Sequence, residues 1–592
     1  MQETIFSTPD VRVSPHPGGG WLVRSAATLP DHPPRVTDNL FHWAARQPHA
    51  PFLRQRSADG TAWRSLNWGE AADQVRRIAA ALLGRGLGPK RGVAILSGNS
   101  IEHALLALGA MSVGVPVTPV SVPYSLASQD LLKLRHVLGL ARPGLIFADS
   151  AQAFARALAV PEAAEAEHIA LEAHGRATAF AALLATTPDA RSEAAMAAVP
   201  PESVVKLLFT SGSTGMPKGV QNTHRMMALN QEQIAYAWPF LYREPPVLLD
   251  WLPWSHTFGG SHNFNMVLRH GGTLWIDDGR PLPQEFHRTL RNLRDVSPTI
   301  SFNVPKGYEL LLPHLEDEPE IRDAFLLRLR IVFYAAAALA PPMWRRLEGV
   351  IAQAPRQVHM AASWGLTETA PAVALSHVAN LPSGSIGTPL PDAELLLLPD
   401  GDKLEVRVRG PQVTPGYLDN PEANAASFDG EGFFRTGDAM RWMDPEDPNQ
   451  GLRFDGRLGE DFKLATGTKV NVGAIKPRAM AALADVARDL VVCGHDRDDI
   501  GLLLIPQPHR MAELDTPGFL AAVRAGLREI NGAGGGASSL TIARALFLRA
   551  PLSLDAGEMT DKGSLNVRAI LAHRAADVAR LYDNEEKEVI TP

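Results

Sequence analysis

Cysteine is almost missing from this chain: Cys493 stands alone among 592 residues. No disulfide can close within it, and Cys493, inside Leu490-Val-Val-Cys-Gly-His495, reads as a small buried strand residue. A basic surplus is missing too. Lys and Arg number 57 against 64 Asp and Glu, a formal net charge of −7, which argues against nucleic acid or an anionic membrane as partner. The N-terminus, Met1-Gln-Glu-Thr-Ile-Phe6, lacks the basic and apolar regions of a secretory signal, so a reducing cytoplasm is the expected compartment. Long uncharged runs are scarce. The one to weigh, Ala104–Ser128, carries Pro116, Pro119, Pro123, Gly109 and Gly114. A membrane span needs about 20 predominantly apolar residues; this run reads better as a soluble helix feeding a buried strand, Val115-Pro-Val-Thr-Pro-Val120. Solenoid repeats and a Walker A loop are lacking, which disfavours a P-loop motor. So are a Gly-x-Ser-x-Gly elbow and a catalytic-cysteine signature.

What is present has ordinary globular proportions, 45% hydrophobic and 20% charged, at a length that favours more than one domain. Residues 1–36 are rich in Pro and Gly and read as an extended arm able to add an edge strand. From 37 to 150 helical and strand patterns alternate: a helix over 39–47, a strand from Trp63, a long helix over 69–87, a strand at Val93–Leu96 and a helix over 101–113. Such alternation predicts βαβ units and a mostly parallel sheet. Residues 160–200 are rich in Ala and Glu and read as surface helix and loop. Further strands are expected at 299–304 and 331–333, and at 490–493 and 501–505 in a small α/β unit near the C-terminus.

The most informative stretch is Phe209-Thr-Ser-Gly-Ser-Thr-Gly-Met-Pro-Lys-Gly-Val220, which follows the apolar run Val204-Val-Lys-Leu-Leu208. Thr210, Ser211, Ser213 and Thr214 offer four hydroxyls, interleaved with Gly212, Gly215 and Gly219. Glycines admit positive φ and close approach, and successive backbone N–H groups in such a turn form an anion-binding nest. With Lys218 as a point charge, the loop suits polyphosphate; a flexible linker rarely follows an apolar strand.

Thr210–Gly219 resembles the phosphate loop of the adenylate-forming superfamily, which includes acyl-CoA synthetases, coumarate–CoA ligases and luciferase. Later motifs follow in the same order. Trp254-Ser-His-Thr-Phe-Gly-Gly260 is similar to the segment beside the acyl carboxylate, so His256 would line the acyl tunnel; read alone, it is equally a helix start capped by Ser255. Tyr334-Ala-Ala-Ala-Ala-Leu339 resembles the small-residue wall of the adenine and acyl pockets, which gives Ala336 and Ala337 to that wall, although a plain packed strand end has the same composition. Ser363-Trp-Gly-Leu-Thr-Glu-Thr369 resembles the family's Tyr-Gly-x-Thr-Glu. The resemblance implies that Trp364, followed by Gly365, stacks on adenine, that Thr367 meets the α-phosphate, and that Glu368 holds Mg2+ with the ATP phosphates.

Phe434-Arg-Thr-Gly-Asp438 resembles the ribose-binding motif, and an ionised Asp438 can accept both diol protons. Gly456-Arg-Leu-Gly-Glu-Asp-Phe-Lys463 resembles the interdomain hinge, here centred on Gly459, which implies that Arg457 reaches the ribose or phosphate and that Lys463 lies near the nucleotide in one of the two domain poses. Lys562, in Leu554-Asp-Ala-Gly-Glu-Met-Thr-Asp-Lys-Gly563, lies where the family keeps its catalytic lysine, although Gly563 follows it where the family's glycine precedes. That segment and Glu460-Asp-Phe-Lys-Leu-Ala-Thr-Gly-Thr468 are similar to bacterial feruloyl-CoA synthetases.

The resemblance implies an α/β adenylate-forming fold. A large domain over 37–458, of mostly parallel sheets flanked by helices plus a β-barrel-like subdomain, would precede a small mobile α+β domain over 459–592. It implies an ATP-dependent ligase with ATP, Mg2+ and coenzyme A, acting on a small aromatic carboxylic acid such as ferulate. Another aryl or fatty acid, or a non-catalytic nucleotide-binding regulator on the same fold, are the alternatives. The assembly state stays open, a homodimer included.

Overall fold

A computed structural model describes residues 4–210, 215–335, 339–379, 382, 384–401, 403–533, 537–560 and 563–592. Three sheets build the larger part. The first has seven strands, in the order Lys218–Thr223, Val204–Thr210, Val117–Pro119, Val93–Leu96, Leu145–Ala148, Glu167–Ala170 and Thr178–Ala179. Only its first pair is antiparallel. Val93–Leu96 and Leu145–Ala148 are buried along their whole length, as parallel strands covered on both faces should be. The helix Trp68–Gly84 starts at Asn67, whose side chain accepts from Glu70 N while the Glu70 carboxylate accepts in return from Asn67 N. It packs on Ile101–Ser112, where a Cβ at Gly109 would stand 2.6 Å from Ile78 Cγ2. Every residue of the second helix except Glu102 is buried. The uncharged run is therefore core from Ala104 to Ser121, with Leu126 and Ala127 exposed near its end, and no helix among the described residues is long and apolar enough to cross a membrane.

One expectation fails here. Within 160–200, read as surface helix and loop, Glu167–Ala170 is a strand paired in parallel with Leu145–Ala148, and three of its four residues are buried. His168-Ile-Ala170 is too short an apolar run to show a period in an Ala/Glu-rich context.

The second sheet orders Val247–Asp250, Thr273–Ile276, Pro51–Arg56 and Trp63–Asn67. The third has eleven strands. Ile300–Asn303, Ile331–Tyr334 and His359–Gly365 run parallel at one end. The rest is antiparallel, through Ala372–Leu375, Ser385–Pro389, Leu452–Arg457, Phe434–Trp442, Lys403–Arg409 and Glu394–Asp400, and ends in a hairpin of Val11–Pro15 and Trp21–Ser25. The parallel rule thus holds for two sheets and for one end of the third. The small unit has its own core around Ala487–Cys493, Ile500–Pro506 and Ile542–Phe547, packed by the helices Val472–Ala482 and Pro517–Ala533. Cys493 is buried there, and burial pushes its thiol up to about 12.

Asp250, at the end of its strand, is 2% exposed. Burial pushes its carboxyl from 3.8 up to about 7, against the bonds donated by Asn263 Nδ2 and Leu252 N that favour the anion. The folded protein therefore keeps a proton that the unfolded chain releases near 3.8, and this contribution to stability is lost as pH rises towards 7. Asp250→Asn should flatten the fall of melting temperature between pH 5 and pH 8, read by thermal melts across that range.

Candidate active site

The strand Val204–Thr210 carries its apolar run into the core and delivers Thr210 to its edge, where Thr210 pairs with Lys218 across the loop. Ser211, Gly212, Ser213 and Thr214 lie outside the described residues. Gly215 has φ +116°, and a side chain there would find open space. Lys218 extends its ammonium over the Tyr417 ring, 5.0 Å from the centroid.

Tyr417 was not singled out in the sequence, yet it joins the motifs. Its segment runs alongside Lys218–Thr223: Leu418 N donates to Gly219 O at 2.8 Å, and Val220 bridges Tyr417. The Tyr417 hydroxyl donates to Glu368 Oε1 at 2.8 Å, and Thr414 N donates to Glu368 O at 2.7 Å. Glu368 is buried in the 3-10 turn Thr367–Thr369. Burial pushes its carboxyl up, while the Tyr417 bond and the charges of Arg457 and Lys218 pull it back. The only early signal for Tyr417 was an aromatic residue after the turn pair Pro415-Gly416.

Trp364 occupies the strand just before that turn. Its indole is buried with Val373, Ala374 and Ile386, and Nε1 donates to Asp438 Oδ2 at 2.9 Å. The exchange of Tyr for Trp thus keeps a polar handle, aimed at the next motif. Gly365 is required by sterics, since a Cβ would fall 1.8 Å from Pro371 O. Arg457 Nε forms an ion pair with Asp438 Oδ1 at 2.9 Å, and that buried oxygen accepts no hydrogen bond among the described residues. Burial raises the Asp438 carboxyl, opposed by Arg457 and Trp364.

The described motif residues, with Tyr417, therefore fall into two runs of contacts, Thr210–Lys218–Tyr417–Glu368 and Trp364–Asp438–Arg457, brought together by the chain between Trp364 and Glu368. Thr367 lies within it, half-buried beside Glu368. Lys463 stands apart: it is exposed on the short strand Phe462–Lys463, paired with Lys469, and its carbonyl accepts from Asp496 N. His256 is half-buried just before the π-helical turn Phe258–Asn263, a geometry common at functional sites. Its carbonyl accepts from Gly260 N at 2.8 Å, and the cap position of the turn is Thr257 rather than Ser255, with no side-chain cap bond. Beyond it Phe258, His262, Phe302 and Phe333 form an aromatic cluster with centroids 5.1–6.1 Å apart. Ala336, Ala337 and Lys562 fall outside the described residues.

At the expected hinge, Gly459 sits in the 3-10 turn Leu458–Glu460 with open space where a Cβ would be. Beside it Lys403, buried on the large sheet, pairs with Asp461 at 2.6 Å, and Asp461 Oδ1 accepts from Val472 N at 3.1 Å.

Residues 40–418 match the AMP-binding enzyme family, and residues 461–586 match the AMP-binding enzyme C-terminal domain. The chain is 30% identical over 435 residues to a Mycobacterium tuberculosis 3-[(3aS,4S,7aS)-7a-methyl-1,5-dioxo-octahydro-1H-inden-4-yl]propanoyl:CoA ligase, covering 72% of this chain and 80% of that one. It is 30% identical over 444 residues to a 4-coumarate–CoA ligase of Oryza sativa subsp. japonica, covering 71% and 74%. It is 26% identical over 587 residues to a long-chain-fatty-acid–CoA ligase of Mycobacterium bovis, covering 90% and 94%. Among solved structures, an anthranilate CoA ligase in complex with anthranoyl-AMP shares the fold at a TM-score of 0.74 and 17% identity, with 93% and 99% covered. The chain belongs to the AMP-binding, adenylate-forming enzyme family.

Proposed function

We propose that this enzyme activates an aromatic acid, with ferulate the leading candidate, as acyl-AMP and transfers the acyl group to coenzyme A. The coarser part, acid–CoA ligation through acyl-AMP with ATP, Mg2+ and CoA, is the family's activity. The observation that carries the reading is a pair of contact runs, Thr210–Lys218–Tyr417–Glu368 and Trp364–Asp438–Arg457, joined by the short stretch of chain from Trp364 to Glu368.

A carboxylate is a poor electrophile, and ATP changes that. One acid oxygen bonds to the α-phosphorus while the bond to pyrophosphate breaks. The CoA sulfur then bonds to the carbonyl carbon, its thiol proton is released, and AMP leaves. Two anions meet in the first step, so charge neutralisation and alignment matter more than proton transfer. Lys218 and Lys562 would supply positive charge, and the hydroxyl loop would orient the outer phosphates. Glu368, a buried hard oxygen donor braced by Tyr417, fits a magnesium ion shared with phosphate; bound there, the ion would neutralise phosphate charge. Asp438 would take the ribose hydroxyls, with Trp364 bonded to one of its oxygens and Arg457 paired by charge with the other. Rotation about the 458–460 turn would withdraw Lys562 and open the thiol's path.

Ferulate is supported by the segments around Lys562 and Lys463 and by the aromatic cluster beyond His256. The long-chain ligase similarity over 90% of the chain favours a fatty acid instead. The deciding experiment follows free-CoA consumption with ferulate, coumarate, caffeate, benzoate and octanoate. Ferulate should give the highest kcat/KM; octanoate leading would overturn the aromatic reading.

A further inference from the structure

The segment Ser553–Glu558, just before Lys562, docks on the larger part of the molecule at the turn that opens the helix Leu132–Ala141. Gln129 N donates to Asp555 Oδ2 at 2.9 Å, and Lys133 Nζ donates to the Leu554 carbonyl. Burial pushes the Asp555 carboxyl up, but the nearby Ser128 hydroxyl, the bond from Gln129 N and the Lys133 charge hold it below its usual range. Leu554 packs against the apolar cluster of Tyr124, Leu131 and Leu134, on which Phe209 also leans.

The docking piece is preformed. Glu558 N donates to Ser553 O at 3.0 Å, Ser553 N donates to Glu558 Oε2 at 2.8 Å, and buried Glu558 is bracketed by Arg574. The receiving helix touches the phosphate loop one turn further on, where His136 Nε2 is 2.9 Å from Pro217 O. Lys133 and His136 share a helix face at i and i+3. One rigid element therefore contacts both the small unit and the loop that would hold the phosphates.

We propose that Asp555 and Lys133 form an interdomain clamp, positioning residues that hold the small domain in the pose for acyl-AMP formation and release it for thioester formation. The clamp rests on the two-step reading above, but its geometry can be tested without it. Removing the Lys133 ammonium, or the Asp555 carboxylate that accepts from Gln129 N, takes one charged hydrogen bond out of this contact and should shift the pose equilibrium by about tenfold, the scale of one such bond.

Spin labels at Leu171→Cys and Glu585→Cys, both on exposed positions, report the distance between the two parts without substrate. Asp555→Ala should broaden that distribution, and an unchanged distribution would overturn the clamp whatever the enzyme's activity. In assays, Asp555→Ala and Lys133→Met should slow acid-dependent ATP–pyrophosphate exchange about tenfold, while thioester formation from supplied acyl-AMP stays within about twofold of the parent. Asp555→Asn, which keeps an acceptor for Gln129 N, should recover most of the exchange. Equal loss of both half-reactions, or no loss of exchange, would sink the proposal. Absence of exchange in the parent with every acid would instead count against the two-step reading.

Discussion

Lys562→Ala should cut acyl-AMP formation by about a thousandfold or more and leave thioester formation from supplied acyl-AMP near the parent rate. The magnitude follows from the charge problem. Removing one preorganised donor from a developing anion costs about a hundred- to a thousandfold, and here the attacking group is itself an anion. The assignment has no rival in the sequence, because no other lysine lies between Lys476 and Lys587. Its flanks are ordered by backbone bonds: Gly563 N donates to Thr560 O at 2.9 Å, and Thr560 N to Ser564 O at 2.8 Å. Gly563 follows the lysine where the family's glycine precedes it, and its φ of +82° lies in the left-handed region that favours glycine. Pyrophosphate exchange measures the first step, and thioester absorbance with synthetic acyl-AMP measures the second. Equal loss of both would remove Lys562 from its role.

How far the sequence carried depended on run length and on contact range. Val93–Leu96 and Ile331–Tyr334 are apolar runs bounded by polar or turn residues, and their strands lie where the pattern puts them, whereas the strand expected at 490–493 starts three residues earlier, at Ala487, because Arg488 and Asp489 hide its first part. Glu167–Ala170 was lost because three residues carry no period. The antiparallel half of the large sheet was hidden for another reason. Strands such as Lys403–Arg409 alternate charged and apolar residues, and nothing local says that the arm's hairpin will pair with Glu394–Asp400 at the sheet's far edge. In the site, residues within one motif were legible, whereas partners between motifs were not. Trp364 and Asp438 are 74 positions apart, and Tyr417 and Glu368 are 49 apart, yet each pair shares a hydrogen bond. Such pairs are set by the register of the sheet, which no single motif encodes.

The Tyr417–Glu368 pair leads to the second large effect. Glu368→Gln should lower acyl-AMP formation by about a hundredfold or more, because a neutral amide in place of the carboxylate holds magnesium poorly. Tyr417→Phe should be milder, about five- to tenfold, the cost of one hydrogen bond to a charged group, and should appear mainly as a higher Mg2+ requirement. The phenol donates to the charged form of Glu368, so its loss raises an already elevated carboxyl further. A larger fraction is then protonated at a given acidic pH, and the acid limb of the pH–rate profile should move to higher pH in Tyr417→Phe. The double variant should be no slower than Glu368→Gln alone, since the hydroxyl acts only through the carboxylate. Mg2+ titrations of pyrophosphate release for the four proteins, repeated across pH, give every arm of this cycle. Additive losses would mean that Tyr417 serves the site by another route, with its ring under Lys218, 5.0 Å from the ammonium, the next contact to remove.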